Sequence, residues 1–121
     1  MRNYQKLDVW KTSMILVKEV YNVTKNFPKE ELYGLTSQAK RASVSIPSNI
    51  AEGMGRQYKK DTIHFLHIAR GSIYELETLL NVAIMVGILN AADFEKFIPM
   101  LDEAIKLLNG FINYMEKANL K

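Results

Sequence analysis

Apolar residues recur at three- and four-residue spacings along almost the whole chain, in four blocks parted by short segments that carry glycine, proline or polar residues. In the first block Leu7, Trp10, Met14, Val17, Tyr21 and Thr24 form one stripe, which predicts a helix over about residues 4–26. Val9, Leu16, Val20 and Val23 form a second stripe, so this helix is apolar on more than one side. The pattern breaks over residues 27–35, where Pro28 and Gly34 punctuate the chain and Glu30 and Glu31 suit a short first turn. Thr36 is the expected N-cap of a second helix over residues 37–54, which Gly53 and Gly55 end.

After the polar connection QYKK, a third helix is predicted over about residues 61–86. Ile63, Leu66, Ile73, Leu76, Leu80 and Ala83 form one of its stripes, Phe65, Ile68, Leu79 and Val86 another, and Gly87 is the expected stop. Asn90 caps a fourth helix, with Asp93 at the positive end of its dipole. Phe94, Phe97, Leu101, Ala104, Leu108, Phe111 and Met115 carry its stripe nearly to the end of the chain. No strand pattern, repeat or low-complexity segment competes. The expected fold is all-α, an up-down-up-down antiparallel four-helix bundle in which residues 1–121 form a single domain.

One stretch departs from ordinary helix composition. RASVSIPSNIAEGMGR, from Arg41 to Arg56, sets a proline among small residues. Proline removes a backbone donor and crowds the carbonyl four residues earlier, here that of Ser43, so Pro47 is expected to kink the second helix. Ala42, Ser43, Ser45, Ser48, Ala51 and Gly53 leave room for close helix packing, and the serine hydroxyls can take up carbonyls freed by the proline. Ile46 and Ile50 keep the core anchored, and Glu52, one turn before Arg56, is placed to pair with it.

Composition removes several classes of function. There is no cysteine, hence no disulfide scaffold, thiolate nucleophile or thiolate metal site, and a reducing cytoplasm fits best. The first residues lack the apolar core of a signal peptide, and the run VAIMVGIL, Val82 to Leu89, is far short of the roughly 20 residues a membrane span needs. No membrane partner is expected. Net charge is only +3 but uneven: residues 36–70 carry six Lys and Arg against Glu52 and Asp61, whereas residues 71–121 carry four against seven acids. That polarity suits an acidic partner such as RNA, or head-to-tail meeting of copies, as well as ordinary solvated faces.

Lys40, Arg41, Arg56, Lys59, Lys60 and Arg70 surround the second and third helices, with Tyr58 among them. Such cations neutralise phosphates and such a ring stacks on an exposed base, although no arginine-rich run or nucleic-acid motif accompanies them. Asp61, His64 and His67 recur every third residue and are the one candidate metal set, with Glu75 and Glu77 further along. A di-iron bundle needs Glu-x-x-His on two helices, and no glutamate here has a histidine three residues on, so no metal is expected. Neither a nucleophile elbow nor a phosphate-cradling loop is present, and neither catalysis nor a cofactor is expected.

Two blocks, YGLTSQAKRASVSIPSNIAEGMGR and FLHIARGSIYELETLL, carry a resemblance that extends over nearly the whole chain. Together they look like the signature of the bacterial four-helix-bundle family encoded in intervening sequences of 23S rRNA genes. That family is similar in turn to the accessory variability determinant of diversity-generating retroelements. The resemblance implies a bundle that assembles as a ring-shaped homopentamer with no established enzymatic activity. For the retroelement relatives it also implies binding of nucleic acid and reverse transcriptase through basic surface. The second stripes on helices one and three agree with self-association, since a bundle helix needs one broad stripe; the alternative is that both stripes merge into one wide core face. The expectation is a non-enzymatic homo-oligomer binding RNA or a nucleic-acid enzyme, with a structural scaffold lacking such a ligand as the alternative and a metal-dependent bundle enzyme as the third.

Overall fold

The computed structural model describes residues 1–118. Four α-helices make up nearly all of it: α1, Asp8–Thr24; α2, Leu35–Met54; α3, Lys59–Met85; and α4, Ala91–Lys117. Short 3-10 turns precede α1, at Asn3–Lys6, and α2, at Lys29–Glu31, and no strand occurs among the described residues. α1 packs on α2 and α4, α3 packs on the same two, and the diagonal pairs stay apart. The architecture is an all-α four-helix bundle with neighbouring helices antiparallel.

The core is a column of residues one or two turns apart on each helix. Leu16 and Val20 of α1 meet Ile46 and Ile50 of α2, and Leu66, Ile73, Leu76 and Leu80 of α3 meet Leu101 and Leu108 of α4. All of these are essentially removed from water, and each contributes about 1.5–3 kcal/mol of transfer free energy. Buried hydroxyls turn back onto their own helices. Ser13 Oγ donates to Trp10 O at 2.7 Å, Thr24 Oγ1 to Val20 O at 2.8 Å and Ser43 Oγ to Lys40 O at 2.8 Å. No buried side-chain polar atom among the described residues lacks a partner.

Helix boundaries differ from the periodicity at three places. Tyr4 belongs to the leading 3-10 turn, and the chain is extended at Leu7 (φ −73°, ψ 130°) before α1 begins at Asp8, whose carboxylate suits the positive end of the dipole. Thr36 is not an N-cap. α2 starts at Leu35 after Gly34, Thr36 is buried inside its first turn, and the carboxylate of Glu31 accepts the Leu35 N–H at 3.1 Å. A side chain from the preceding turn thus does the capping that the Thr36 hydroxyl was expected to do. QYKK is shorter as a connection than it reads, because α3 begins at Lys59 with Tyr58 before it.

The other ends follow the reading. Gly87 has φ +80°, and the N–H groups of Gly87 and Ile88 bond to Ile84 O and Ala83 O at 3.0 and 2.8 Å, the paired closure that a left-handed glycine permits. Asn90 Oδ1 accepts the Asp93 N–H at 2.8 Å at the start of α4. α4 runs unbroken through Pro99, which is exposed, and Ile112 joins its buried stripe beside Phe97, Leu101, Ala104, Leu108 and Met115.

α2 is likewise continuous across Pro47. The hydroxyls expected to serve the carbonyls freed by the proline go elsewhere: Ser43 Oγ bonds to Lys40 O, and Ser45 Oγ pairs with Ser72 Oγ of α3 at 2.8 Å. The small residues serve the α2–α3 approach. A Cβ on Gly53 would stand 3.0 Å from Phe65 Cβ and 3.1 Å from Thr62 O, and Thr62 Oγ1 donates to Gly53 O at 2.8 Å. Side-chain bulk on α2 is thinned where α3 lies against its backbone.

Candidate functional site

The residues singled out as a basic cluster fall into three places. Arg56, Tyr58 and Lys59 line one pocket at the α2–α3 turn, over Thr62 and Met115, with Lys60 next along and exposed. Lys40 and Arg41 sit near the other end of α2, about 20 Å away at roughly 1.5 Å of rise per residue. Arg70 faces α4, its Nη1 donating to Asn109 Oδ1 at 2.9 Å. These cations therefore do not make one continuous face.

Several of them already have partners within the chain. Arg56 pairs with Glu52, the exposed i,i+4 ion pair expected from the sequence, and its guanidinium lies 4.5 Å from the centroid of the Phe65 ring. Such a pair adds about 0.3–0.5 kcal/mol. Lys59 Nζ donates to Glu116 O at 3.3 Å and to Ala118 O at 3.2 Å, so its charge sits on the carbonyls that end α4, where the helix dipole is negative. Lys40 Nζ lies 4.8 Å from the centroid of the Tyr21 ring on α1, and Arg41 shares a polar groove with Gln38, Ser45 and Glu75. Sequence reasoning found the Glu52–Arg56 pair by spacing, but the Lys59 and Arg70 links join residues 39 to 59 positions apart.

Asp61, His64 and His67 do not converge. Steps of three on an α-helix turn each successive side chain by about 60°, so the three spread around α3. His64 sets its ring edge-on to Phe65, and His67 Nδ1 lies 2.8 Å from Arg70 Nη2. No group of three or more His, Cys, Asp or Glu side chains that could hold a metal ion occurs among the described residues.

The apolar stripes resolve differently on α1. Val9, Leu16 and Val20, from the second stripe, are buried in the core together with Ser13 and Thr24. Apart from Thr24, its last member, the first stripe turns away from the centre: Trp10 and Val17 are half-buried, while Met14 and Tyr21 are each 42% exposed. With Tyr4, the side chains of Trp10, Met14 and Val17 form one wall of a groove of about 280 Å³, whose other wall is Val44, Pro47, Ser48 and Ala51 of α2. Tyr4 and Trp10 meet edge to face at 5.5 Å between ring centroids. Pro47, buried on the core side, thus borders this groove as well. On α3 the second stripe divides too, with Phe65 packed against Gly53 and Arg56 while Ile68 is exposed.

No helix among the described residues is long and apolar enough to cross a membrane. Comparison with known proteins locates this architecture. The chain is similar to a crystal structure of a protein of unknown function from the S23 ribosomal protein family of Bacteroides thetaiotaomicron. The two superpose with a TM-score of 0.80 at 26% sequence identity, over 87% of this chain and 95% of that one. No curated protein matches the chain significantly. The family model described as 23S rRNA-intervening sequence protein matches residues 5–110, which takes in both signature blocks, the first three helices and most of α4. The chain belongs to the 23S rRNA-intervening sequence protein family.

Proposed function

We propose that the chain is a non-enzymatic helical bundle of the cytoplasm that self-associates as a homopentameric ring and binds RNA or a nucleic-acid enzyme through a basic end. The observation that carries self-association is the uncovered stripe of α1. One broad apolar stripe satisfies a bundle helix, and α1 already buries Val9, Leu16 and Val20, yet Met14 stands open to water beside the apolar side chains of α2 and Tyr21 is equally exposed. The ring rests on the resemblance to the 23S rRNA intervening-sequence family, and the nucleic-acid ligand on that family's likeness to the accessory variability determinant of diversity-generating retroelements. Where α2 ends and α3 begins, Tyr58 is exposed beside Arg56, Lys59 and Lys60, a set able to stack on a base and neutralise phosphates.

A scaffold oligomer without nucleic-acid ligand is the second reading. It is favoured by the internal engagement of Arg56 with Glu52 and of Lys59 with the end of α4. Light scattering of the native particle, with and without structured RNA across a salt series, separates the two. The expected result is a particle near five chain masses that gains RNA at low salt and loses it steeply as salt rises. Tyr58→Ala with Lys60→Glu should weaken RNA retention at least tenfold while leaving the particle mass unchanged, whereas Arg41→Glu, at the far end of α2, should change it little. RNA retention that is indifferent to the Tyr58 and Lys60 changes removes the basic end from the proposal.

A further inference from the structure

The way the basic residues are parted limits what they can hold. Arg56, Lys59 and Lys60 stand at one end of the bundle, whereas Arg41 lies about 20 Å away along α2, in a groove with Glu75, and Arg70 is turned toward Asn109 of α4. Double-helical RNA is held by contacts spread over successive minor grooves and the phosphates between them. These cations do not cover such a span. A single nucleotide, by contrast, needs one pocket and a few charges beside it.

The pocket at the α2–α3 turn has that chemistry. It measures about 230 Å³, below the roughly 300–1,000 Å³ of pockets that take drug-sized ligands, so it suits one ring system rather than a stack of them. Its floor is apolar: Met54 ends α2, and Met115, buried, comes from the last turn of α4. Thioether sulfur packs favourably against aromatic rings, and every base has such a face. The rim is exposed and polar. Tyr58 offers its ring there, and Gln57 offers an amide that can both donate to and accept from a base edge. The lining holds Arg56 and Lys59 and no acid, whereas the Arg41 groove contains Glu75. Lys59 gives two of its three N–H donors to Glu116 O and Ala118 O, which fixes the ammonium beside the pocket with one donor to spare. Arg56 pairs with Glu52 through Nη2 and keeps further N–H groups for an anion.

We infer that this pocket takes a single unpaired base of an RNA strand, the base resting on Met54 and Met115 beside Tyr58 and Gln57, and its phosphates on Arg56, Lys59 and Lys60. The inference rests on the nucleic-acid reading proposed above and narrows its ligand to single-stranded segments, because a paired base must leave its helix before it can enter. A free nucleotide carries the same base and phosphate, and the test separates the two sources.

Fluorescence anisotropy of the full chain with a short, unstructured, labelled RNA, and with the same strand annealed to its complement, tests this. The single strand should bind about tenfold tighter than the duplex or better, the worth of one stacked base. Gln57→Ala and Tyr58→Ala, both at exposed side chains, should leave the circular dichroism unchanged and remove most of that preference, while duplex binding stays where it was. Lys60→Glu, outside the pocket lining, should weaken strand and duplex by the same factor. Equal binding of strand and duplex, or a preference that survives both pocket variants, overturns the base pocket and leaves the basic end as a general phosphate contact. Adenosine monophosphate that binds as tightly as the strand overturns the RNA segment and makes a free nucleotide the ligand. Binding of neither strand nor duplex at low salt overturns the nucleic-acid reading, and the pocket assignment with it.

Discussion

At the scale of single residues, the stretch around Pro47 is explained by what it packs against. At Gly53 α3 lies close against the backbone of α2, with Thr62 Oγ1 bonded to its carbonyl and Phe65 Cβ 3.0 Å from where a Cβ would stand. Gly53→Ala pushes a methyl group against backbone and Cβ atoms that cannot swing aside, and should lower stability by about 1–3 kcal/mol in chemical denaturation. Gly55→Ala is the internal control, since its added methyl would meet Glu52 O at an ordinary 3.5 Å. Equal midpoints for the two variants would show that the helices part there without loss. Nothing in the structure explains Gly71, which is exposed in the middle of α3 with open space around it.

At the scale of elements, what begins and ends each helix matters more than propensity within it. α2 has no capping side chain at Gly34; its first free N–H, that of Leu35, is taken by Glu31 from the preceding 3-10 turn. Glu31→Ala removes both that acceptor and a negative charge from the positive end of the dipole. It should cost about 0.5–2 kcal/mol, the range of a lost cap, while Glu30→Ala at the neighbouring exposed position should change little. Urea midpoints of the two variants make the comparison, and similar values would place the capping elsewhere. Pro47 and Pro99 each sit inside a continuous helix. Each removes one backbone hydrogen bond. α2 and α4 therefore depend on tertiary packing more than their lengths suggest, since most helical stability in a protein comes from the buried face.

At the scale of the whole molecule, the bundle closes its core and leaves apolar surface on the α2 side of α1. If copies cover that surface, folding is linked to association by mass action, and apparent stability should rise with protein concentration. The expected size is about 1 kcal/mol for each tenfold increase, read as a rising Tm in scanning calorimetry. A Tm independent of concentration over two decades would mean that no copy binds there. Charge is also distributed at this scale. The positive residues that crowd together between residues 40 and 70 of the sequence are carried to the two ends of α2 and to the α4 side of α3.

The sequence by itself determined the number of helices, their approximate spans and their main stops. Those properties are local: a 3.6-residue period, a glycine able to take a positive φ at position 87 and an asparagine able to accept at position 90 act over one or two turns wherever the helix lies. The Glu52–Arg56 pair was legible for the same reason, because four residues along a helix bring two side chains together without help from the rest of the fold. Tertiary structure alone decided which of two equally regular stripes on α1 enters the core. Val9, Leu16 and Val20 go in, and Trp10, Met14 and Tyr21 do not, because α2, α3 and α4 can close around only one side of a helix. It likewise decided that Lys59 would seal the end of α4, that Arg70 would reach Asn109 and that the basic residues would separate. Those contacts join distant parts of the chain, and a periodicity repeating every few residues carries no information about which helix will lie across the gap.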